Sequence, residues 1–109
     1  MRMTWAILEE NLLELIRRTS TDLPGDVERV LQRQRRREKP ASAARWAMDM
    51  ILENIRLARQ HTAPLCQDTG TLLFYCRLPV NVEPARFEKA ARRAVTAAHA
   101  QQIALARLV

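Results

Sequence analysis

Hydrophobic residues recur at three- and four-residue steps along much of the chain, the spacing that places apolar side chains on one face of an α-helix. This pattern predicts helices over about residues 4–18, 24–38, 41–60 and 84–105. Polar breaks and prolines separate them, because proline disrupts the interior of a helix. We therefore predict a mostly α-helical fold with about four helices.

The predicted third helix has the most continuous apolar stripe. Its members are Ala44, Ala47, Met48, Ile51, Leu52, Ile55 and Ala58. Ser42 precedes this helix and is suited to cap its free backbone N–H groups. We expect this helix to be the best buried of the four. The second helix has a thinner apolar face, so we expect its basic end to project into solvent.

Residues 71–78 are rich in β-forming side chains, and alternate positions fall on one apolar face. That face is formed by Leu72, Phe74, Cys76 and Leu78. The pattern predicts one buried strand, yet a single strand cannot satisfy its own backbone hydrogen bonds. We therefore expect residues 1–109 to be a single helical domain that is part of a longer protein, or a subunit that pairs with another chain.

The composition suits one compact domain, with 109 residues, 48% of them hydrophobic, and only two glycines. No segment is long and apolar enough to cross a bilayer, and the first residues form an amphipathic pattern rather than a secretory signal. We expect a cytoplasmic protein with no membrane partner. Two cysteines are too few for a disulfide framework, so core, metal-binding or catalytic roles are open to them.

The net charge of +6 raises the question of nucleic-acid binding. Basic residues concentrate over residues 33–39, whereas elsewhere they are mixed with acidic neighbours. Aromatic residues make up only 5% of the chain, so no stacking platform for single strands is visible. We interpret the basic run as a solvated helix end, with a subunit interface as the alternative, and expect no nucleic-acid partner.

The loop over residues 64–71 contains the densest candidate chemistry. Cys66 is a potential thiolate ligand or nucleophile, Asp68 can transfer protons, and Gly70 permits a turn with positive φ. The sequence has no CxxC motif, which argues against a self-contained zinc site. Taken alone, Cys66 is either a buried inert thiol or one ligand of a cluster whose other ligands come from elsewhere.

The remaining thiol and the two imidazoles have simpler interpretations. Cys76 is expected to be an inert thiol on the apolar face of the predicted strand. His61 falls at the end of the third helix, where a cation interacts well with the helix dipole. His99 is expected to serve packing or the surface.

Two neighbouring segments resemble a known family: residues 51–58, with the sequence ILENIRLA, and residues 64–71, with the sequence PLCQDTGT. Together with the following hydrophobic strand, they are similar to the amino-terminal region of the iron–sulfur hydro-lyases. This family includes the class I fumarate hydratases and the α subunit of L-tartrate dehydratase. The resemblance covers most of the chain, and its most specific part is the pentapeptide Cys-Gln-Asp-Thr-Gly.

The resemblance implies a 4Fe-4S cluster that is held by three cysteines and has one iron open to substrate. Cys66 would be one of the three ligands. Gln67 and Asp68 would bind the dicarboxylate substrate, with Asp68 also the candidate for proton transfer in catalysis. Thr69 and Gly70 would shape the loop and offer polar groups to the substrate.

The other two cluster cysteines and the basic residues that hold substrate carboxylates have no counterpart in this chain. We therefore expect a fragment or truncated subunit of an α+β hydro-lyase acting on fumarate/malate or tartrate. By itself it would be inactive and would hold no stable cluster. Its partners would be the remainder of the enzyme or a second subunit, in a homo- or hetero-oligomer. The alternative is a non-catalytic helical interaction or regulatory domain of the same architecture.

Overall fold

The computed structural model describes residues 2–66 and 70–103, within which the chain forms four helices. They are α1 (Trp5–Thr21), α2 (Gly25–Arg37), α3 (Ala43–His61) and α4 (Pro84–Ala100). The prediction of a mostly helical fold is confirmed. The molecule is elongated, with extents of 57 × 25 × 24 Å.

Short polar side chains and prolines set where the helices begin. The Thr4 hydroxyl accepts a hydrogen bond from the Ile7 N–H at 3.2 Å and caps α1. The predicted cap of α3 is confirmed, because the Ser42 hydroxyl accepts from the Arg45 N–H at 3.1 Å. Pro84 occupies the first turn of α4, where its lack of an N–H costs nothing.

The main hydrophobic core lies between α1 and α4. It is formed by Leu12, Ile16, Ala90, Ala91, Ala94, Val95, Ala98 and Ile103. Ala98 is fully buried and Ala94 is 2% exposed. These small side chains allow the two helices to approach closely, while larger residues such as Trp5 and Phe87 pack around the edge.

The expectation that α3 is the best-buried helix is wrong. Only Ile55 and Ala58 of α3 are buried, whereas α4 buries five residues. Ile51, a member of the predicted apolar stripe, is 44% exposed. The reason is that α3 packs mainly on α2, and α2 has no buried residue among those described. The apolar stripe of α3 therefore lacks an apolar surface to pack against.

The predicted buried strand is also wrong for this chain, since residues 70–83 form no strand. Leu72 and Phe74 do pack against the α1/α4 core. The side chain of Tyr75, the residue after Phe74, is 92% exposed. The expected apolar face thus holds for its first half, but Cys76 is exposed rather than buried. A strand forms only when a partner completes its ladder, and no paired strand occurs in the described ranges.

None of the helices, as far as the structure describes them, combines the length and hydropathy that crossing a bilayer demands.

Candidate functional site

The backbone reaches Cys66 through a sharp reversal at the end of α3. Thr62, the residue after the helix, adopts the left-handed conformation with φ of 50° and ψ of 48°. The Ala63 N–H then donates to the Ala58 carbonyl at 3.0 Å, which satisfies a carbonyl of the last turn. Pro64 follows and prevents any continuation of the helix, as its sequence position predicts.

Leu65, immediately before Cys66, is held through both of its backbone polar groups. Its N–H donates to the Ser20 carbonyl near the end of α1 at 2.9 Å. Its carbonyl accepts a hydrogen bond from Nδ2 of Asn54 on α3 at 2.6 Å. The entry to the loop is therefore attached to two helices that otherwise share few contacts.

Cys66 itself is exposed and is a free thiol, so its interpretation as a buried inert cysteine is wrong. An exposed thiol at a fixed backbone position is accessible to a metal, an electrophile or a partner surface. Cys76 is likewise free and exposed.

Gln67, Asp68 and Thr69 lie outside the described residues. Gly70, the next described position, is exposed and does not have a positive φ. A Cβ built there would meet nothing within 4 Å. The backbone at Gly70 therefore does not use the positive φ that a glycine permits.

A shallow groove of about 400 Å³ adjoins the loop entry. Its lining residues are Leu23, Met50, Ile51, Asn54, Ile55 and Leu65. Asn54 is the one side chain with polar atoms among them, and its amide is directed to the Leu65 carbonyl. The sequence pattern alone did not single out Asn54, although the residue lies in the segment that carries the family resemblance.

A cluster of charged side chains connects α3 with the end of α1 and with α2. Arg59 of α3 donates to Asp22, just after α1, at 2.9 Å, and to Glu28 of α2 at 2.6 Å. The hydrogen bond from Arg59 is the main reason that the pKa of Asp22 is lowered, and these bonds also raise the pKa of Arg59. Because Arg59 is already engaged by two carboxylates, the cluster serves to join helices rather than to bind an anion.

No group of three or more His, Cys, Asp or Glu residues suited to hold a metal ion occurs in the parts of the chain that the structure describes. His61 is the last residue of α3 and His99 lies near the end of α4, and both are exposed. Cys66 is therefore not part of a complete metal site of such residues within the described ranges.

Comparison with known proteins identifies relatives over nearly the whole chain. A family model described as fumarate hydratase (Fumerase) matches residues 9–107. A protein of Geobacillus stearothermophilus named "Putative fumarate hydratase class I" is 34% identical over 91 residues, which cover 84% of this chain and 18% of the relative. A Methanocaldococcus jannaschii protein named "Putative L(+)-tartrate dehydratase subunit alpha" is 27% identical over 82 residues, which cover 75% of this chain and 28% of the relative.

No solved structure matches the chain. The matched part of the chain covers less than a third of the length of each of these two relatives. The resemblance predicted from residues 51–58 and 64–71 to class I fumarate hydratases and tartrate dehydratase α subunits is confirmed. The chain belongs to the fumarate hydratase family.

Proposed function

We propose that the chain is the amino-terminal part of an iron–sulfur hydro-lyase that adds water to, or removes it from, a small dicarboxylic acid of the fumarate/malate or tartrate type. Family membership supports the class of reaction. The observation that carries the proposal is the free, exposed thiol of Cys66, which follows directly on a backbone anchored to two helices. A purely non-catalytic helical domain is not favoured, because the relatives are named as enzymes.

The residues present fit one ligand of a 4Fe-4S cluster rather than the whole set. Thiolates are the usual ligands of such clusters, and the exposed Cys66 thiol is accessible to one. Two further ligands would have to come from residues outside this chain, since Cys76 is ten positions away in a separate segment. When bound, a cluster with an open iron supplies Lewis-acid chemistry toward a substrate hydroxyl or carboxylate.

The residues that follow Cys66 would contact the substrate. The Gln67 amide can donate to a carboxylate oxygen, and Asp68 can accept a proton or a hydrogen bond from a substrate hydroxyl. The Thr69 hydroxyl adds a further polar group. Gly70, which has no side chain and has open space around it, leaves room for the substrate beside its backbone.

The remaining partners would be the rest of the enzyme, in the same polypeptide or a second subunit, within a homo- or hetero-oligomer. The small share of each relative that the chain spans supports this part of the proposal. The chain alone would then be inactive, because it would lack two cluster ligands and the residues that hold the substrate carboxylates. A cytoplasmic location is also part of the proposal.

Anaerobic reconstitution of the complete enzyme that contains this sequence tests the assignment. Iron content and dicarboxylate turnover are measured for the wild type, for Cys66→Ala and for Cys76→Ala as the matched control. We expect Cys66→Ala to lose the four-iron cluster and its turnover, and Cys76→Ala to keep both. A Cys66→Ala enzyme with normal iron content and turnover would contradict the assignment of Cys66 as a cluster ligand.

A further inference from the structure

We propose that Asn54 is a positioning residue for Cys66: its side-chain amide fixes the peptide bond that joins Leu65 to Cys66 and so sets the direction in which the thiol projects. The importance of that direction rests on the proposed function of Cys66 as a cluster ligand. The restraint itself can be tested without iron.

The hydrogen bond from Asn54 acts directly on the backbone of Cys66. Nδ2 of Asn54 lies 2.6 Å from the Leu65 carbonyl oxygen. That oxygen shares one planar peptide unit with the nitrogen and Cα of Cys66. Holding the oxygen therefore also restricts the position of the Cys66 Cα, and with it the origin of the thiol side chain.

The backbone N–H of Leu65 provides a second restraint, to helix α1. Its N–H donates to the Ser20 carbonyl at 2.9 Å, so the peptide units before and after Leu65 are each held. Ser20 belongs to α1 and Asn54 to α3. The Cys66 backbone is thereby placed relative to both helices, and Asn54 is the side chain that supplies one of the two attachments.

The surroundings of Asn54 support a specific role. Asparagine is a poorer helix former than leucine or methionine, and the other side chains that line this groove are apolar. Because Asn54 is exposed, core packing does not select its side chain, and a better helix former would suit the helix. The hydrogen bond to Leu65 accounts for an amide at this position.

The test uses the 109-residue chain with a nitroxide label on Cys66 in a Cys76→Ser background, in which Cys66 is the one thiol left in this sequence. Asn54→Asp keeps the size of the side chain but, when ionised, offers only acceptors to the Leu65 carbonyl. Asn54→Ala removes the side-chain contact altogether. Loss of one net hydrogen bond should raise the population of the released loop about two- to tenfold, which sharpens the label's spectrum.

Two controls separate local release of the loop from general loosening. Gln60→Ala removes an exposed amide from the same helix, one that accepts from Arg56 rather than from the loop. A label on Cys76, in a Cys66→Ser background, reports on a separate segment, in which Leu72 and Phe74 pack against the α1/α4 core. We expect Gln60→Ala to leave the label at Cys66 unchanged, and the Asn54 variants to leave the label at Cys76 unchanged.

Hydrogen exchange of the Leu65 amide gives a second reading without a label. Its rate should rise by a similar factor in Asn54→Ala, because the released loop also breaks the bond to Ser20. The proposal is overturned if label mobility at Cys66 and exchange at Leu65 both match the wild type, or if the label at Cys76 changes as much as the label at Cys66.

In the complete enzyme, Asn54→Asp should alter the electron paramagnetic resonance spectrum of the reduced cluster, whereas Gln60→Ala should not. If Cys66 proves to bind no iron, the proposed function fails while the label and exchange results still stand. If the cluster assignment holds but the loop is unaffected by Asn54→Asp, the positioning role alone fails.

Discussion

The two helix pairs of the molecule are held together by different forces. Between α1 and α4, apolar side chains are buried in a continuous core. Between α2 and α3, α2 buries nothing among its described residues and α3 buries only Ile55 and Ala58. The α1/α4 pair therefore contains most of the hydrophobic stabilisation, which scales with the apolar area removed from water.

Polar contacts take the place of a core in the α2/α3 pair. Arg35 of α2 forms an ion pair with Asp49 of α3, and Arg59 connects α3 to Glu28. Arg45 also donates to the Glu38 carbonyl at 3.4 Å. Partly exposed ion pairs of this kind typically contribute little free energy of unfolding. The loop that carries Cys66 is attached to both pairs, through Ser20 on one side and Asn54 on the other.

The largest expected effect is on the α1/α4 core. Ile16 is 2% exposed, so Ile16→Ala should lower the free energy of unfolding by about 2–5 kcal/mol, through lost burial and the cavity left behind. The matched change Ile51→Ala, on the 44% exposed isoleucine of α3, should cost less than about 1 kcal/mol. Urea denaturation of both variants measures the difference. Equal losses would mean that α3 is as well packed as α1 and would remove the contrast between the pairs.

A smaller effect is expected from the charges that join the helices. Hydrogen bonding by Arg59 lowers the pKa of Asp22 below its ordinary value of 3.8, although partial burial opposes the shift. A carboxyl whose pKa is lowered on folding stabilises the protein above its unfolded pKa, and this contribution is lost as the pH falls through the folded value. Asp22→Asn should therefore lower stability at pH 7, by less than about 1 kcal/mol because the pair is partly exposed.

The difference between Asp22→Asn and wild type should shrink as the pH falls below 3.8, and also in 1 M NaCl, which screens the pair. Glu14, whose pKa is lowered to about 2 by hydrogen bonds from Arg17 and Arg18, is present in both proteins and cancels from the comparison. Denaturant titrations at several pH values provide the measurement. A difference that grows on acidification would contradict the assigned role of Asp22.

The helices were predictable because each depends on local signals. Three- and four-residue spacing placed all four, and Ser42 caps α3 as its position predicts. The burial of α3 was not predictable, since an apolar stripe does not reveal whether its neighbour has an apolar face to offer. The strand prediction failed for a related reason: the alternation over residues 71–78 indicates a β preference, but a strand needs a partner strand to complete its hydrogen bonds.

The candidate site was predictable only in part. The residue types around Cys66 left a buried thiol and a cluster ligand both open, and the family resemblance rather than spacing favoured the ligand. The bond from Asn54 to Leu65 depends on how the chain turns back along α3 after Thr62, and the N–H of Leu65 also reaches α1 at Ser20. Contacts between residues 11 positions apart, across a turn, have no periodic signature in the sequence.

Alkylation of the two cysteines tests the ligand role of Cys66 most directly. The complete enzyme is treated with iodoacetamide under anaerobic conditions, once with the cluster loaded and once after chelation of iron, and each cysteine is quantified by peptide mass spectrometry. A cluster-bound thiolate is blocked, so Cys66 should resist alkylation in the loaded enzyme and react after chelation, while Cys76 reacts to the same extent in both. Equal alkylation of Cys66 with and without the cluster would show that its thiol does not bind iron.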